Sequence, residues 1–348
     1  MRLLFLLFSP LLLLAQEPLQ TRTQVLMGTF VSITLPQTNT YEITRSFERI
    51  KNIESALSSY DSHAALAKLN THHRVKYDPY LAEAIKLSKA YYNETNGYFD
   101  VTIGSISKEL YHFGEEKTYS PSKKSLQSAT LNINGITIDD LHIKSDENIS
   151  IDLGGMGKGY GVDKVAAYLK DQNVTEGIVA LSGDIRCLNR CEIVLQSPYT
   201  EETFANITSK HRDLSISTSG TYRRYAATKE DHHLINPKTA SQGKAFVSVS
   251  LFSTADNSKI DAYATALSVM PKEEALTFLK AHKEIGFVLV DAQGKILYGN
   301  LMNLVDMRWI DYSEKATIPS SRKKSKTNPN SETSLIHPDT SNPKLIAR

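Results

Sequence analysis

The segment Ile149 to Asp163, reading ISIDLGGMGKGYGVD, leaves this chain few architectures. Ile149, Ile151 and Leu153 alternate with Ser150 and Asp152, the period of a strand with one apolar face. The alternation breaks at Gly154, Gly155, Gly157 and Gly159 around Lys158, and a helical period follows over about Tyr160 to Lys170. A strand feeding a helix through a glycine-rich turn puts both element types in one unit. Such a turn lets a ligand approach backbone, its N–H groups and the helix N-terminus favour phosphate, and Lys158 adds a point charge. The spacing supports neither the P-loop nor the dinucleotide fingerprint, so an ordinary strand-to-helix turn stands beside the ligand-binding reading.

The rest of the chain follows the same mixed logic. Gln24 to Leu35 is β-branched and alternating, which predicts an opening strand with Met27-Gly28 inside it. Over Tyr41 to Leu57 the period changes to that of a helix, with Ile43, Phe47, Ile50 and Leu57 on one face. Further helices are predicted over about Leu81 to Asn93, ending near Asn96-Gly97, and over about Asn257 to Met270, ended by Pro271. Short strands are expected at 177–181, 192–195 and 246–252. Strands and helices that do not alternate strictly point to an α+β, mixed-sheet domain rather than a doubly wound one.

Composition bounds the function classes. Of 348 residues, 41% are hydrophobic and 22% charged, which is globular. Forty Lys and Arg against 38 Asp and Glu argue against a surface built for nucleic acid. Residues 1–15 carry Arg2 and then the apolar run Leu3 to Leu14, broken only by Ser9 and Pro10 and closed by the small Ala15. That run is too short to span a bilayer and reads as a signal peptide, so an exported, periplasmic protein is expected. Without a cysteine at the cleavage point there is no lipid anchor. From 312 onward the composition turns to Ser, Lys, Asn, Thr and Pro, with a basic cluster at Arg322, Lys323, Lys324 and Lys326. Residues 312–348 are therefore expected to be a disordered basic tail, for which membrane-surface association stays open, and 16–311 the folded domain.

Three further groups carry chemistry. Cys187 and Cys191 lie between two strand-like runs, where a disulfide across a hairpin neck and two free thiols are both available. Asp261 and Thr265, four apart, share a helix face and offer hard oxygen ligands suited to Mg²⁺, although that pattern also occurs on ordinary surfaces. Ser217 to Arg224 is rich in hydroxyls and closes on two arginines that suit an anion or a solvated turn. His233, in His232-His233-Leu234-Ile235-Asn236-Pro237, is placed either to act as a general base or to pack.

In order and spacing these blocks resemble the FAD:protein FMN transferases, the ApbE family. The matching pieces are Met27-Gly28-Thr29, Ser59-Tyr60 with Leu69-Asn70, Gly97-Tyr98-Phe99-Asp100, Asp152 to Asp163, Ser182-Gly183-Asp184-Ile185, Thr218-Ser219-Gly220, His233 to Thr239 and Asp261 to Leu267. They span about residues 24 to 300. Two departures stand out: Asn236 where the family usually has Asp, which removes a charge beside the proposed base, and Ser182 where a glycine is common.

The resemblance implies one ApbE-like domain with flanking helices and a cleft-type nucleotide site. It also implies an exported enzyme that binds FAD and Mg²⁺, transfers FMN to a threonine hydroxyl of a target protein and releases AMP. Carried over by motif, Met27, Tyr60, Tyr98, Phe99, Asp100 and Ile235 are expected to contact the flavin nucleotide, with Asp152 and Lys158 beside the adenosine and pyrophosphate. Asp261, Thr265 and the carbonyl of Gly155 are expected to hold the metal, with His233 and Asp261 as the catalytic pair. The implied partner is an exported flavin-accepting protein or subunit of an electron-transfer complex. An exported FAD pyrophosphatase and a non-catalytic flavin-binding protein are the alternatives on the same residues.

Overall fold

A computed structural model describes residues 17–310 and, near the C-terminus, the strand 345–347. The expected signal peptide lies outside the described residues, as does most of the tail. Within that tail Leu345–Ala347 pairs as a strand, which departs from the expectation of disorder through to residue 348.

Eight strands form the main sheet: β1 (Leu19–Leu26), β2 (Thr29–Pro36), β3 (Ile178–Leu181), β4 (Asp184–Cys187), β5 (Leu214–Gly220), β6 (Phe246–Ser253), β7 (Gly286–Asp291) and β8 (Ile296–Gly299). They lie side by side in chain order, and every neighbouring pair is antiparallel. The helical and site-bearing segments are therefore insertions between strands that remain neighbours. A second sheet runs in the order Val305–Trp309, Thr203–Ser209, Glu192–Gln196, Leu345–Ala347, and its last pairing is parallel. The class is α+β as read, and mixed pairing is found in this small sheet.

Two layers cover the large sheet, as the alternation along β3 shows. Ile178 and Ala180 join Ile193, Leu195 and Phe204 of the small sheet in one apolar cluster. Val179 and Leu181 join Ile43, Phe47, Ile50, Val162 and Val165 in another. A strand buried on both faces reads as an unbroken apolar run, which Ile178–Leu181 does. The helical residues of the second cluster belong to α1 (Thr40–Leu57) and α3 (Gly157–Asp171). Between them in the chain lies α2 (Pro79–Glu94), which begins where the Asp78 carboxylate accepts the Leu81 N–H at 2.9 Å. It stops before Asn96 and Gly97, both at positive φ as the sequence suggests. After β6 come α4 (Asn257–Val269) and α5 (Lys272–Ala281), separated at Pro271.

Two expectations are corrected. The opening strand is a hairpin: β1 pairs with β2 through a two-residue turn at Met27 (φ 51°) and Gly28 (φ 68°). A two-residue turn with positive φ at both central residues favours Asn, Asp or Gly at the first, and methionine gives no sequence signal of that conformation. Cys187 and Cys191 form a disulfide, but not across a hairpin neck. Cys187 ends β4 in the large sheet and Cys191 precedes Glu192–Gln196 in the small one, so the bond clips the link between two layers. Among the described residues no helix is long and apolar enough to cross a membrane.

Candidate active site

Glycine brings α3 and α4 together. A Cβ at Gly159 would fall 2.5 Å from the carbonyl oxygen of Asn257, and one at Gly155 would fall 3.0 Å from Thr265 Cγ2 and 3.2 Å from Phe99 Cε2. Any side chain at 159 would force the helices apart. Asp163, at the end of the sequence motif, fixes the crossing: its carboxylate accepts the N–H groups of Asn257 and Ser258, both at 2.8 Å, and so caps α4. Arg186 donates to the same carboxylate at 2.8 Å. Strand β4, reading Asp-Ile-Arg-Cys, turns Ile185 and Cys187 to the small sheet and Asp184 and Arg186 to the helices.

This crossing buries an acidic cluster. Lys158 Nζ donates to Asp184 Oδ2 at 2.5 Å and lies 3.5 Å from Asp261 Oδ2, which also accepts the Gly159 N–H at 3.1 Å. The hydroxyl of Ser217 donates to Asp184 Oδ1 at 2.6 Å. Burial, with the charge of Asp184 beside it, pushes the Asp261 carboxyl up to about 7 against the pull of Lys158. Burial works against the charge on Lys158, but Asp184 and Asp261 hold it above the ordinary lysine range. One turn along α4, the Thr265 hydroxyl donates to the Gly155 carbonyl at 3.2 Å.

These residues suit Mg²⁺. Two buried carboxylates share one ammonium, and the Asp261 carboxylate, the Thr265 hydroxyl and the Gly155 carbonyl are all hard oxygen donors. Among the described residues no group of three His, Cys, Asp or Glu side chains is placed to hold a metal, so a site of the zinc type is not built.

The other expected residues are held by partners outside this cluster. Asp152 Oδ1 accepts the Gly154 N–H at 2.9 Å, its Oδ2 accepts the Ser107 hydroxyl at 2.7 Å, and Lys108 Nζ lies 3.8 Å from it. Burial alone would raise the Asp152 carboxyl, yet Lys108 and these donors hold it below the usual range. Met27 leans from the hairpin turn toward Gly157, and its N–H donates to Glu54 at 2.6 Å. Phe99 is buried against Gly155 and meets the Tyr91 ring edge to face. Tyr98 donates its hydroxyl to Glu274 at 2.8 Å beneath the ammonium of Lys238, 3.8 Å from the ring centroid. Asp100 turns inward: Oδ1 accepts both the N–H and the hydroxyl of Thr102, which fixes the local turn. Tyr60 is half exposed and donates to the Phe113 carbonyl at 3.0 Å.

His233 lies toward Asp152, edge-on to Phe113, and among the described residues no hydrogen bond or ion pair joins it to Asp261. Its Nδ1 is 3.1 Å from the Arg224 carbonyl, which only accepts, so Nδ1 carries the hydrogen and Nε2 keeps its lone pair. Burial and the Arg224 guanidinium push the imidazole down to about 4. Ile235 packs with Ile106, Tyr111 and Phe113 below this histidine. Asn236 donates Nδ2 to the Val269 carbonyl at 3.0 Å and accepts the Lys238 N–H at 2.9 Å. Its amide therefore ties the histidine loop to the end of α4, a task for which a carboxylate has no donor.

Sequence reasoning gave no role to Asp184 or Lys108. The first sits in a motif block, Ser182 to Ile185, and its place in a strand where polar Asp184 and Arg186 alternate with apolar Ile185 and Cys187 is the signal. Lys108 follows the short helix Gly104–Ser107 with no motif around it. A groove of about 320 Å³ lined by Glu192, Asn206, Thr208, Asp306 and Arg308 belongs to the small sheet, on the far side of the large sheet from these residues.

Residues 27–289 match the model of the ApbE family. The FAD:protein FMN transferase of Haemophilus influenzae is 27% identical over 271 residues, covering 70% of this chain and 76% of the relative. That of Vibrio cholerae is 28% identical over 267 residues, with the same coverage. The crystal structure of the ApbE protein from Thermotoga maritima superposes with a TM-score of 0.73 at 24% identity, over 81% of this chain and 97% of that one. The flavin transferase ApbE from Vibrio cholerae gives 0.69 at 22%, over 84% and 97%. At those identities the structures speak for the fold, and the match over residues 27–289 decides the relationship: this chain belongs to the ApbE family.

Proposed function

We propose that the chain is an FAD:protein FMN transferase that moves FMN from FAD to a threonine hydroxyl of an exported protein, releases AMP and requires Mg²⁺. The observation that carries the reading is the closure of α4 on the glycine turn, with Thr265 Oγ1 3.2 Å from the Gly155 carbonyl and Asp261 Oδ2 3.1 Å from the Gly159 nitrogen. The named activity of the Haemophilus influenzae and Vibrio cholerae relatives supports it. Export, with removal of residues 1–15, belongs to the same proposal and rests on the N-terminal sequence alone.

Asp261, Thr265 and the Gly155 carbonyl would hold the cation, which when bound neutralises charge on the diphosphate oxygens. Lys158, fixed between Asp184 and Asp261, adds a positive charge whose position does not depend on solvent. The threonine oxygen attacks the phosphorus on the FMN side, the bond to the AMP oxygen breaks, and the threonine proton passes to His233 Nε2. An imidazole held near pKa 4 is neutral at pH 7, so that lone pair is available before the substrate arrives.

The test is to incubate the protein with FAD, MgCl₂ and an exported flavin-carrying subunit, then look for a fluorescent acceptor band and for AMP. Both together are expected. AMP without a labelled band makes the protein an FAD pyrophosphatase, and neither product makes it a flavin binder; each result would overturn transfer.

A further inference from the structure

Lys108 joins two residues that come from distant parts of the chain. Its ammonium lies 3.7 Å from the centroid of the Tyr60 ring and is hydrogen-bonded to the Tyr60 hydroxyl. It donates to the Phe113 carbonyl at 3.2 Å, the same oxygen that accepts the Tyr60 hydroxyl at 3.0 Å. On its other side it reaches Asp152 Oδ2 at 3.8 Å. The Lys108 side chain is only 10% exposed, although Tyr60 above it is 52% exposed. A long cationic side chain is rarely buried without a task, and here the ammonium has two hydrogen-bond acceptors and an ion-pair partner.

The contacts make one continuous path. Tyr60 follows α1, and its ring lies over Gly114, where a Cβ would fall 2.2 Å from the Tyr60 hydroxyl. Lys108 grips that ring and the Asp152 carboxylate at once, and Asp152 holds the Gly154 N–H that opens the glycine turn. Without Lys108, the Asp152 carboxylate would keep the Ser107 hydroxyl and this N–H as donors, and the Tyr60 hydroxyl would keep the Phe113 carbonyl.

We infer that Lys108 is a positioning residue that holds Tyr60 and Asp152 as one FAD-binding unit, setting affinity for the nucleotide and not the chemistry of transfer. The inference rests on the transferase reading above for the identity of the ligand. It predicts a second determinant of FAD recognition away from Asp261 and Thr265, built from a cation, an aromatic ring and a carboxylate.

Binding of FAD in MgCl₂, followed by quenching of flavin fluorescence, tests it without an acceptor. Lys108→Met should weaken binding about tenfold, the scale of one lost partly desolvated cation–π and ion-pair contact, while the thermal midpoint holds. Lys108→Arg, which keeps both contacts, should recover most of the loss. In a Tyr60→Ala background the Lys108→Met effect should shrink, because the two residues act as one. Unchanged affinity in Lys108→Met, a loss that tracks the thermal midpoint without rescue by arginine, or full additivity with Tyr60→Ala would each overturn the assignment. A wild-type chain that binds FAD but transfers nothing leaves the affinity test standing and removes only the transferase reading; one that does not bind FAD removes both.

Discussion

At one end of the site, Asp184, Lys158 and Asp261 come from β4, α3 and α4, elements locked by the capping of α4 by Asp163 and the glycine contact at 159. At the other end, Tyr60, Lys108, Arg224 and His233 all come from connecting segments, and Tyr60, Lys108 and His233 are each bonded to a backbone carbonyl. The charges differ in the same way. With both carboxylates ionised the buried end carries two negative charges and one ammonium, a net −1, whereas Lys108 and Arg224 against Asp152 give the rim a net +1. Side-chain exposure is 1% for Asp184 and 3% for Asp261, so solvent does little to relieve the negative end. A cation satisfies that end and an anionic nucleotide satisfies the rim, so a metal-bound diphosphate fits the two ends together better than either ligand alone.

Replacing Asp261 breaks the comparison most completely, since it makes the buried end neutral. Asp261→Ala should lower Mg²⁺-dependent AMP release by about a thousandfold or more. Stability should not suffer in proportion. Burial and Asp184 already push this carboxyl up to about 7, so its charge at neutral pH is carried at a cost, and Lys158 keeps Asp184. The wild type should gain thermal stability from FAD with Mg²⁺, and the variant should not. Transfer that persists in Asp261→Ala would mean that the acidic cluster is scaffold only.

The rim should respond differently to His233→Ala: transfer falls roughly 10²- to 10⁴-fold while FAD and Mg²⁺ still raise the thermal midpoint. The histidine also has an acid signature. Its imidazole is held down to about 4 from an ordinary 6.5, so the folded state binds a proton later than the unfolded chain. The stability that follows is present in full above about pH 6.5 and is lost as pH falls toward 4. Urea unfolding at pH 7 and pH 5 should therefore show a smaller acid loss in the variant than in the wild type. Equal losses would mean that folding leaves the His233 imidazole as free to take a proton as in the unfolded chain.

How far the sequence reveals these two ends follows from what each depends on. The faces of α1 and the limits of α2 and α4 were legible because period, caps and Pro271 are local signals. Asp261, Thr265 and the glycine turn were legible as separate motifs, and the resemblance suggested that they meet. The hairpin at Met27-Gly28 was not, since alternation continues through it and methionine does not mark positive φ. Asp184 and Lys108 escaped because their importance lies in what packs on them. A buried acid becomes informative only once Lys158 is known to lie 2.5 Å away, and no window of sequence holds both residues. The disulfide was open for the same reason, because whether its cysteines share a hairpin depends on strand pairings made elsewhere.

Asn236 lies where the two ends meet, and changing it should have the smallest effect of the set. The sequence suggests that asparagine here costs the proposed base a neighbouring charge. The structure instead turns its amide to the Val269 carbonyl at the end of α4, the helix that carries Asp261. In Asn236→Asp the donor becomes an oxygen facing that carbonyl, and a buried acceptor loses its partner at a cost of about 1–3 kcal/mol. The thermal midpoint should fall while the transfer rate of the folded protein stays within about twofold, since His233 Nδ1 and Asp261 keep their own partners. A rate that rises with the new carboxylate would restore the charge at 236 to the chemistry and show that the rim and the buried end are coupled through it. A rate that holds while stability falls would leave Asn236 as a tie between loop and helix, with the two ends chemically separate.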